Sequence, residues 1–434
     1  MKLNYKQTIL VGLAFLTISA FWQLYDFIIP LMLQNTFNIN HTVSGVIMAL
    51  DNVAALFMLP LFGMISDRAY TKIGRRTPFI IIGTLAAVIF MMGIPYAAHT
   101  QQLVVFMIAL GMVIISMAVY RSPAVALMPD VTPKPLRSEG NAVINLMGSV
   151  GGAIILILNS FLAPDTKQAD ANFWPIFVTI AVIMLVGTAI LLLTIREPKL
   201  VKKMREDSAA MGIDPEEAKE DDKTVQKKVK LPREYRKSMI LILVSIFLWF
   251  MGYNAVTTSF SKYTVNALGM ESSQASLILL VALATATIAF IPVGIISGKV
   301  GRKKSILFGV VLLTAVFGTA SFYTAYSPLM YVSFALAGVA WAAINVNSLP
   351  MVLEMSKGAS VGRYTGYYYT FSMAAQVVTP VLSGWLLDNV GFSTLLPYGA
   401  VFVALAFFTM LMVKHGDSKP VAPASTLEAF DAAD

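Results

Sequence analysis

Three ionisable side chains stand inside long apolar runs of this 434-residue sequence: Asp26, Asp51 and Arg121. A charge placed in hydrocarbon costs roughly 2.5–3.5 kcal/mol on insertion scales, so such positions mark function by default. Asp51 stands sixteen residues before Asp67, about 24 Å along a helix at a rise of 1.5 Å per residue. Arg121 stands nine before Asp130, about 13 Å by the same rise. How tightly a carboxylate holds a proton depends on its burial and on the charges beside it. If Arg121 pairs with Asp51 or Asp26 differently in two conformations, proton affinity differs too, as coupling to a proton gradient requires. Asp51 is the first choice for the proton site, and Asp26 is its rival.

The elements that carry these residues are set by composition. The chain is 57% hydrophobic and 13% charged, with a mean hydropathy of +0.72. A soluble chain of this length needs far more surface charge. Twelve apolar runs are long enough to span a bilayer: roughly 7–34, 42–66, 78–97, 101–127, 139–163, 173–195, 238–262, 272–297, 304–324, 328–353, 363–388 and 392–413. The first is too long for a signal peptide and reads as a retained helix. With no cysteine and three histidines, thiol chemistry is excluded and neither a metal centre nor a cofactor is expected. No Ser/His, Cys/His or HExxH arrangement points to an enzyme.

Lys and Arg orient the spans. With the N-terminus inside, 29 of the 32 fall in cytoplasmic segments, and only Lys167 and Lys262 fall outside. The positive-inside rule therefore places both termini in the cytoplasm and accounts for the net charge of +8 without nucleic acid. The expected organisation is an N-terminal six-helix bundle (1–197), a mixed-charge cytoplasmic linker (198–237), a C-terminal six-helix bundle (238–416) and a disordered tail (417–434). Within the linker, 215–230 can form a surface helix or a flexible tether.

A basic loop occurs twice, 231 residues apart at its first glycine. One copy holds Gly63, Ser66, Asp67, Arg68, Gly74, Arg75 and Arg76; the other holds Gly294, Ser297, Gly298, Lys299, Gly301, Arg302 and Lys303. A second repeated set, Asp130 with Arg137 and Glu354 with Arg363, ends one span and opens the next. Such charges and close-packing glycines can latch helices in one state and release them in another. Gly298 stands where the first copy has Asp67, so the second latch is expected to be weaker. Duplicated halves of this kind build transporters that rock around a site between them.

These loops resemble the signature loop of the major facilitator superfamily. The first copy, running on through Thr77-Pro78-Phe79-Ile80, is similar to the sucrose:proton symporters and the wider glycoside–pentoside–hexuronide:cation symporter group. Phe21-Trp22-Gln23-Leu24 with Pro30-Leu31, and Ser122-Pro123 through Pro129-Asp130, add to that likeness. The resemblance implies an all-α fold of two pseudo-symmetric six-helix bundles. Melibiose-type members use acids on helices 1 and 4 for sugar and paired acids on helix 2 for the cation. Asp26 matches the helix 1 acid by approximate position, whereas Arg121 stands near the helix 4 acid. One turn after Asp51 comes Ala55, so the paired-carboxylate sodium site is lacking and a proton is the expected coupling ion.

A sugar needs polar partners for its hydroxyls and a flat apolar face. Candidates are Trp22, Gln23, Tyr25, Asp26, Asn52 and Asn145 in the first half, and Trp249, Asn254, Thr258, Trp341, Asn345 and Asn347 in the second. The expected activity is proton-coupled symport of a di- or oligosaccharide or glycoside into the cell. The expected protein is a functional monomer in the plasma (inner) membrane. The alternative on the same fold is proton-antiport export of drugs or metabolites. A membrane sensor acting through 198–237 is a third reading, against which the linker shows no signalling domain.

Overall fold

The computed structural model describes residues 3–133, 136–162, 164, 171–210, 233–355 and 361–417. Among these, every regular element is helical. α1 is Tyr5–Leu31, α2 His41–Asp67, α3 Thr77–His99, α4 Leu103–Val131, α5 Arg137–Leu162 and α6 Trp174–Thr194. The short α7 is Glu197–Ala210. α8 is Arg233–Lys262, α9 Ser272–Val300, α10 Arg302–Ala320, α11 Leu329–Glu354, α12 Val361–Asn389 and α13 Leu395–Leu411. π-helical turns extend α1 to Thr36 and α8 to Ala267. Twelve of these helices are long and apolar enough to cross a membrane. The fold is therefore an all-α membrane architecture, with its helices where the apolar runs lie. The segment 215–230 and the tail beyond residue 417 lie outside the described residues.

The chain divides into two compact units, Met1–Asn38 with Leu50–Lys223, and Ile39–Ala49 with Thr224–Asp434. In the first, α1 packs on α5, α6 and α4, while α3 packs on α4 and α6. The second repeats this scheme: α8 on α12 and α13, α10 on α11 and α13. Internal duplication thus shows in helix neighbours as well as in the loop motif. One pairing differs. α9 runs along α11 in the second unit, whereas α2 contributes its first turns, Ile39–Ala49, to the second unit and only its remainder to the first.

Small and hydroxyl side chains let the first unit close, as expected where lipid removes any hydrophobic drive between helices. Thr17 and Tyr120 share a buried hydrogen bond of 2.5 Å between α1 and α4. The Tyr120 hydroxyl also reaches the Ala14 carbonyl at 3.1 Å. Where α3 crosses α4, a Cβ on Gly83 would stand 2.7 Å from the Tyr120 backbone nitrogen, so only glycine fits. Proline interrupts α1, α2, α3, α4, α9, α11 and α12 internally. Packed neighbours re-satisfy the freed backbone groups in such a bundle.

Candidate functional site

The deep charges of the first unit come together. α1 supplies Trp22, Tyr25 and Asp26, α2 supplies Asp51 and Asn52, and α4 supplies Arg121. The Asp26 and Asp51 carboxylates lie close enough for their charges to interact, and Arg121 acts on Asp51 from the facing helix. Asn52 donates to the Asp51 carboxylate through its backbone N–H at 2.6 Å and its side-chain amide at 2.8 Å. The Tyr25 hydroxyl feels both carboxylates. The Arg121 guanidinium carbon stands 6.0 Å from the centroid of the Trp22 ring, within reach of a cation–π attraction. Trp22 is held in turn by edge-on contacts with Phe21 and Tyr25, at 5.3 and 5.2 Å.

Two polar groups of this cluster, Trp22 Nε1 and the Tyr25 hydroxyl, are buried and without hydrogen-bond partners among the described residues; on α5 the same holds for Asn145 Nδ2. A buried donor left open loses its solvation with no return, so such groups are explained by a ligand, an ion or water. Gln23 lies half-buried beside Trp22 on α1. The arrangement offers donors for hydroxyl oxygens, carboxylates for hydroxyl protons and an indole face already visited by a cation.

The second unit carries its own aromatic platform. The rings of Tyr253 on α8 and Trp341 on α11 are stacked at 3.6 Å and 6°, and Phe250 meets Trp341 edge-on at 5.2 Å. Asn254, next to Tyr253, has a buried Nδ2 without a partner. Asn345 is half-buried on α11. Other candidates serve their own helices. The Thr258 hydroxyl donates to the Asn254 backbone carbonyl at 2.6 Å. Asn347 is 1% exposed and donates to the Ala343 carbonyl at 2.9 Å. Trp249 is wholly buried in packing. Tyr253 was not singled out from sequence; its place one turn after Trp249, on the face that carries Asn254's neighbour Thr257, was the available signal.

The repeated loops are built alike at their start. The Ser66 hydroxyl donates to the Gly63 carbonyl at 2.9 Å, and Ser297 does the same to Gly294 at 2.9 Å. Ser122 of α4 fills the space over Gly63, where a Cβ would lie 3.1 Å from its hydroxyl. Beyond this the two copies diverge. Asp130 takes Arg75 at 2.5 Å and Arg76 at 2.8 Å. Arg76, only 5% exposed at its side chain, also pairs with Asp67 and bonds Ser66. Arg137 donates to the Thr132 carbonyl at 3.2 Å, and Arg68 is exposed.

A residue absent from the sequence reading organises this loop. Glu197, 1% exposed, accepts the N–H groups of Arg75 and Thr77 at 2.8 and 2.9 Å, that of Arg76 at 3.1 Å, and the Thr77 hydroxyl at 2.7 Å. It caps the N-terminus of α3 with a full charge against the helix dipole. Gly74 has a φ of +121°, and a Cβ there would run into the Glu197 side chain. In the second copy Gly301 has a φ of +106°, and Asp417 takes the corresponding place by accepting from the Lys303 N–H at 2.9 Å. Asp417 thus has a fixed partner, although the sequence placed it in a disordered tail. Arg302 pairs with Glu354 at 2.8 Å. Among the described residues nothing would meet a Cβ on Gly298 within 4 Å. The side chain of Arg363 lies outside the described residues.

Similar proteins agree with this architecture. The chain is 27% identical to the sucrose transport protein SUC3 of Arabidopsis thaliana over 27% of this chain and 23% of that protein. It is 29% identical to SUC4 of the same plant over 27% of this chain and 26% of that protein. These matches span about a quarter of the length of either relative. Among solved structures, a mutant of the nucleoside transporter NupG superposes with a TM-score of 0.68 at 14% identity, covering 94% of this chain and 100% of that one. The xylose transporter XylE from E. coli, described as partially occluded and inward open, gives 0.65 at 15%, covering 94% and 99%. A D-xylose-proton symporter gives 0.63 at 16%, covering 95% and 98%. The profile of the Major Facilitator Superfamily matches residues 11–286 and, again, 243–430. The chain belongs to the Major Facilitator Superfamily: it is a membrane transporter and not an enzyme.

Proposed function

We propose that the protein is a proton-coupled symporter that carries a sugar, of the di- or oligosaccharide or glycoside class, into the cell by alternating access. The observation that carries this reading is the meeting of Asp26, Asp51 and Arg121 beside the Trp22 and Tyr25 donors, which have no partner among the described residues. The names of the similar proteins, sucrose transport proteins and a xylose-proton symporter, support the same class.

In this mechanism Asp51 carries the proton and Asp26 serves the substrate. Arg121 has two places to stand: toward the Asp51 carboxylate, or over the Trp22 ring. Whether Asp51 keeps its proton depends on which place is taken, and a sugar stacked on Trp22 competes for one of them. Substrate and proton are thereby linked through one side chain. No cofactor takes part, and the ion is a proton because Ala55 leaves Asp51 without a paired carboxylate one turn on. The arginine-rich loops, Gly63 to Arg76 with Asp130 and Arg137, and Gly294 to Arg302 with Glu354 and Arg363, act as latches at the cytoplasmic end. The protein works as a monomer in the plasma (inner) membrane, and the distribution of Lys and Arg supports both termini being cytoplasmic.

The test is a panel of sugars added to lightly buffered cells or vesicles. One sugar alkalinises the medium as it enters. No response to any sugar, together with efflux of a dye, replaces this reading with the exporter.

A further inference from the structure

At the end of the spans remote from the arginine-rich loops, the first turn of α2 is bound by α12. Asp388, in the last turn of α12, accepts the His41 N–H at 2.8 Å and the Thr42 N–H at 2.7 Å. The Thr42 hydroxyl donates to the same carboxylate. A helix N-terminus presents unpaired N–H groups and a partial positive charge. Here a carboxylate from another helix satisfies both. Two glycines make the approach possible: a Cβ on Gly45 would run into the Pro380 carbonyl, and one on Gly384 into the His41 carbonyl. Residues Ile39–Ala49 accordingly pack as part of the second unit, while the rest of α2 belongs to the first.

Lys262, the last residue of α8, is 3% exposed; the ring of Tyr263 beside it stands 6.5 Å from the Phe392 ring, which His41 meets edge-on at 4.8 Å. No carboxylate stands within salt-bridge distance of Lys262 among the described residues, although its charge interacts with that of Asp388. A buried cation without a paired counter-ion is an unstable arrangement. Among the described residues the carboxylate that acts on it is Asp388, and α2 occupies it.

We propose that Asp388 exchanges partners during the transport cycle. Bound to the start of α2, it holds that segment against α12. When the segment leaves, the carboxylate turns to Lys262 and becomes its counter-ion. The N–H groups of α2 and the lysine are thus alternative claimants on one carboxylate, so each of two discrete arrangements is stabilised and intermediate ones are not. The loss of one good contact on release is offset by the gain of another, which keeps the two states close in free energy. This inference rests on the alternating-access reading, but its test reads exposure of a side chain. A failure of sugar transport and a failure of the exchange are therefore seen separately.

The chain has no cysteine, so a single introduced thiol reports alone. Ser44 is fully buried in the bound segment, and its hydroxyl has no partner to lose, which makes Ser44→Cys a mild reporter. In purified, detergent-solubilised protein, maleimide labels this thiol only when the segment leaves α12. Thr42→Val removes one hydrogen bond to the carboxylate and speeds labelling about tenfold, as for one bond to a charged acceptor. Lys262→Met leaves the cap intact, removes the competing partner and slows labelling by a similar factor. Unchanged or slower labelling in Thr42→Val overturns the cap as a latch. Unchanged or faster labelling in Lys262→Met overturns the exchange.

Discussion

The guanidinium of Arg121 stands 6.0 Å from the centroid of the Trp22 ring while acting electrostatically on Asp51. One cation thus links the two groups to which the proposed symport assigns the sugar and the proton, the Trp22 face and the Asp51 carboxylate. Both interactions exist together because α1, α2 and α4 bring three side chains to one place.

The unbonded Nε1 of Trp22 tests the substrate half of this arrangement. Trp22→Phe keeps an aromatic face for Arg121 and deletes the donor. The apparent KM for the sugar rises about threefold to tenfold, the range for one hydrogen bond of 0.5–1.5 kcal/mol. The number of protons moved per sugar is unchanged. Uptake of labelled sugar, with pH recorded in parallel, reads both.

The second unit is tested by Asn254, whose Nδ2 is likewise buried and unbonded. Asn254→Ala raises KM with little effect on thermal stability, because no existing bond is broken. Thr258→Val and Asn347→Ala behave oppositely. Their side chains bond their own helices, so their changes move the unfolding temperature more than KM.

Glu197 carries a prediction about stability. Glu197→Ala strips the cap from α3 and leaves three backbone N–H groups without their acceptor. Loss of an N-cap costs about 1–2 kcal/mol, read as a lower unfolding temperature in detergent. Glu197→Gln keeps an acceptor and recovers part of the loss. Gly74→Ala destabilises as well, since φ of +121° and the neighbouring carboxylate both reject a Cβ.

The first latch holds a nearly buried charge: Asp130 binds two arginines at 2.5 and 2.8 Å, and the Arg76 side chain is 5% exposed. In the second, Arg302 pairs with Glu354 at 2.8 Å. Asp130→Asn lowers the transport rate at equal surface expression, since it leaves the buried Arg76 short of a counter-charge.

Much of this molecule is legible in its sequence because lipid imposes a simple code. Apolar runs of fixed length gave the spans, and rare charges within them picked out Asp26, Asp51 and Arg121. The doubled loop announced two halves, and the shared Ser66–Gly63 and Ser297–Gly294 bonds bear the duplication out. What escaped reading depends on contacts between distant segments. Glu197 sits 120 residues or more from the N–H groups it caps, and Asp417 lies 114 from its partner Lys303. Both look like ordinary charges at the end of a span. Tyr253 became a platform only through its stacking on Trp341 of another helix. Asn347 and Thr258 have the right chemistry, but their side chains bond carbonyls of their own helices.

Whether Asp51 carries the coupled proton is read by comparing two kinds of sugar movement in Asp51→Asn. Sugar-induced alkalinisation and uphill accumulation are expected to be abolished, while exchange of labelled for unlabelled sugar across the membrane continues, because substrate contacts remain. Asp26→Asn should instead impair exchange through loss of a substrate contact. Alkalinisation that persists in Asp51→Asn and vanishes in Asp26→Asn would contradict the account and move the proton to the first helix.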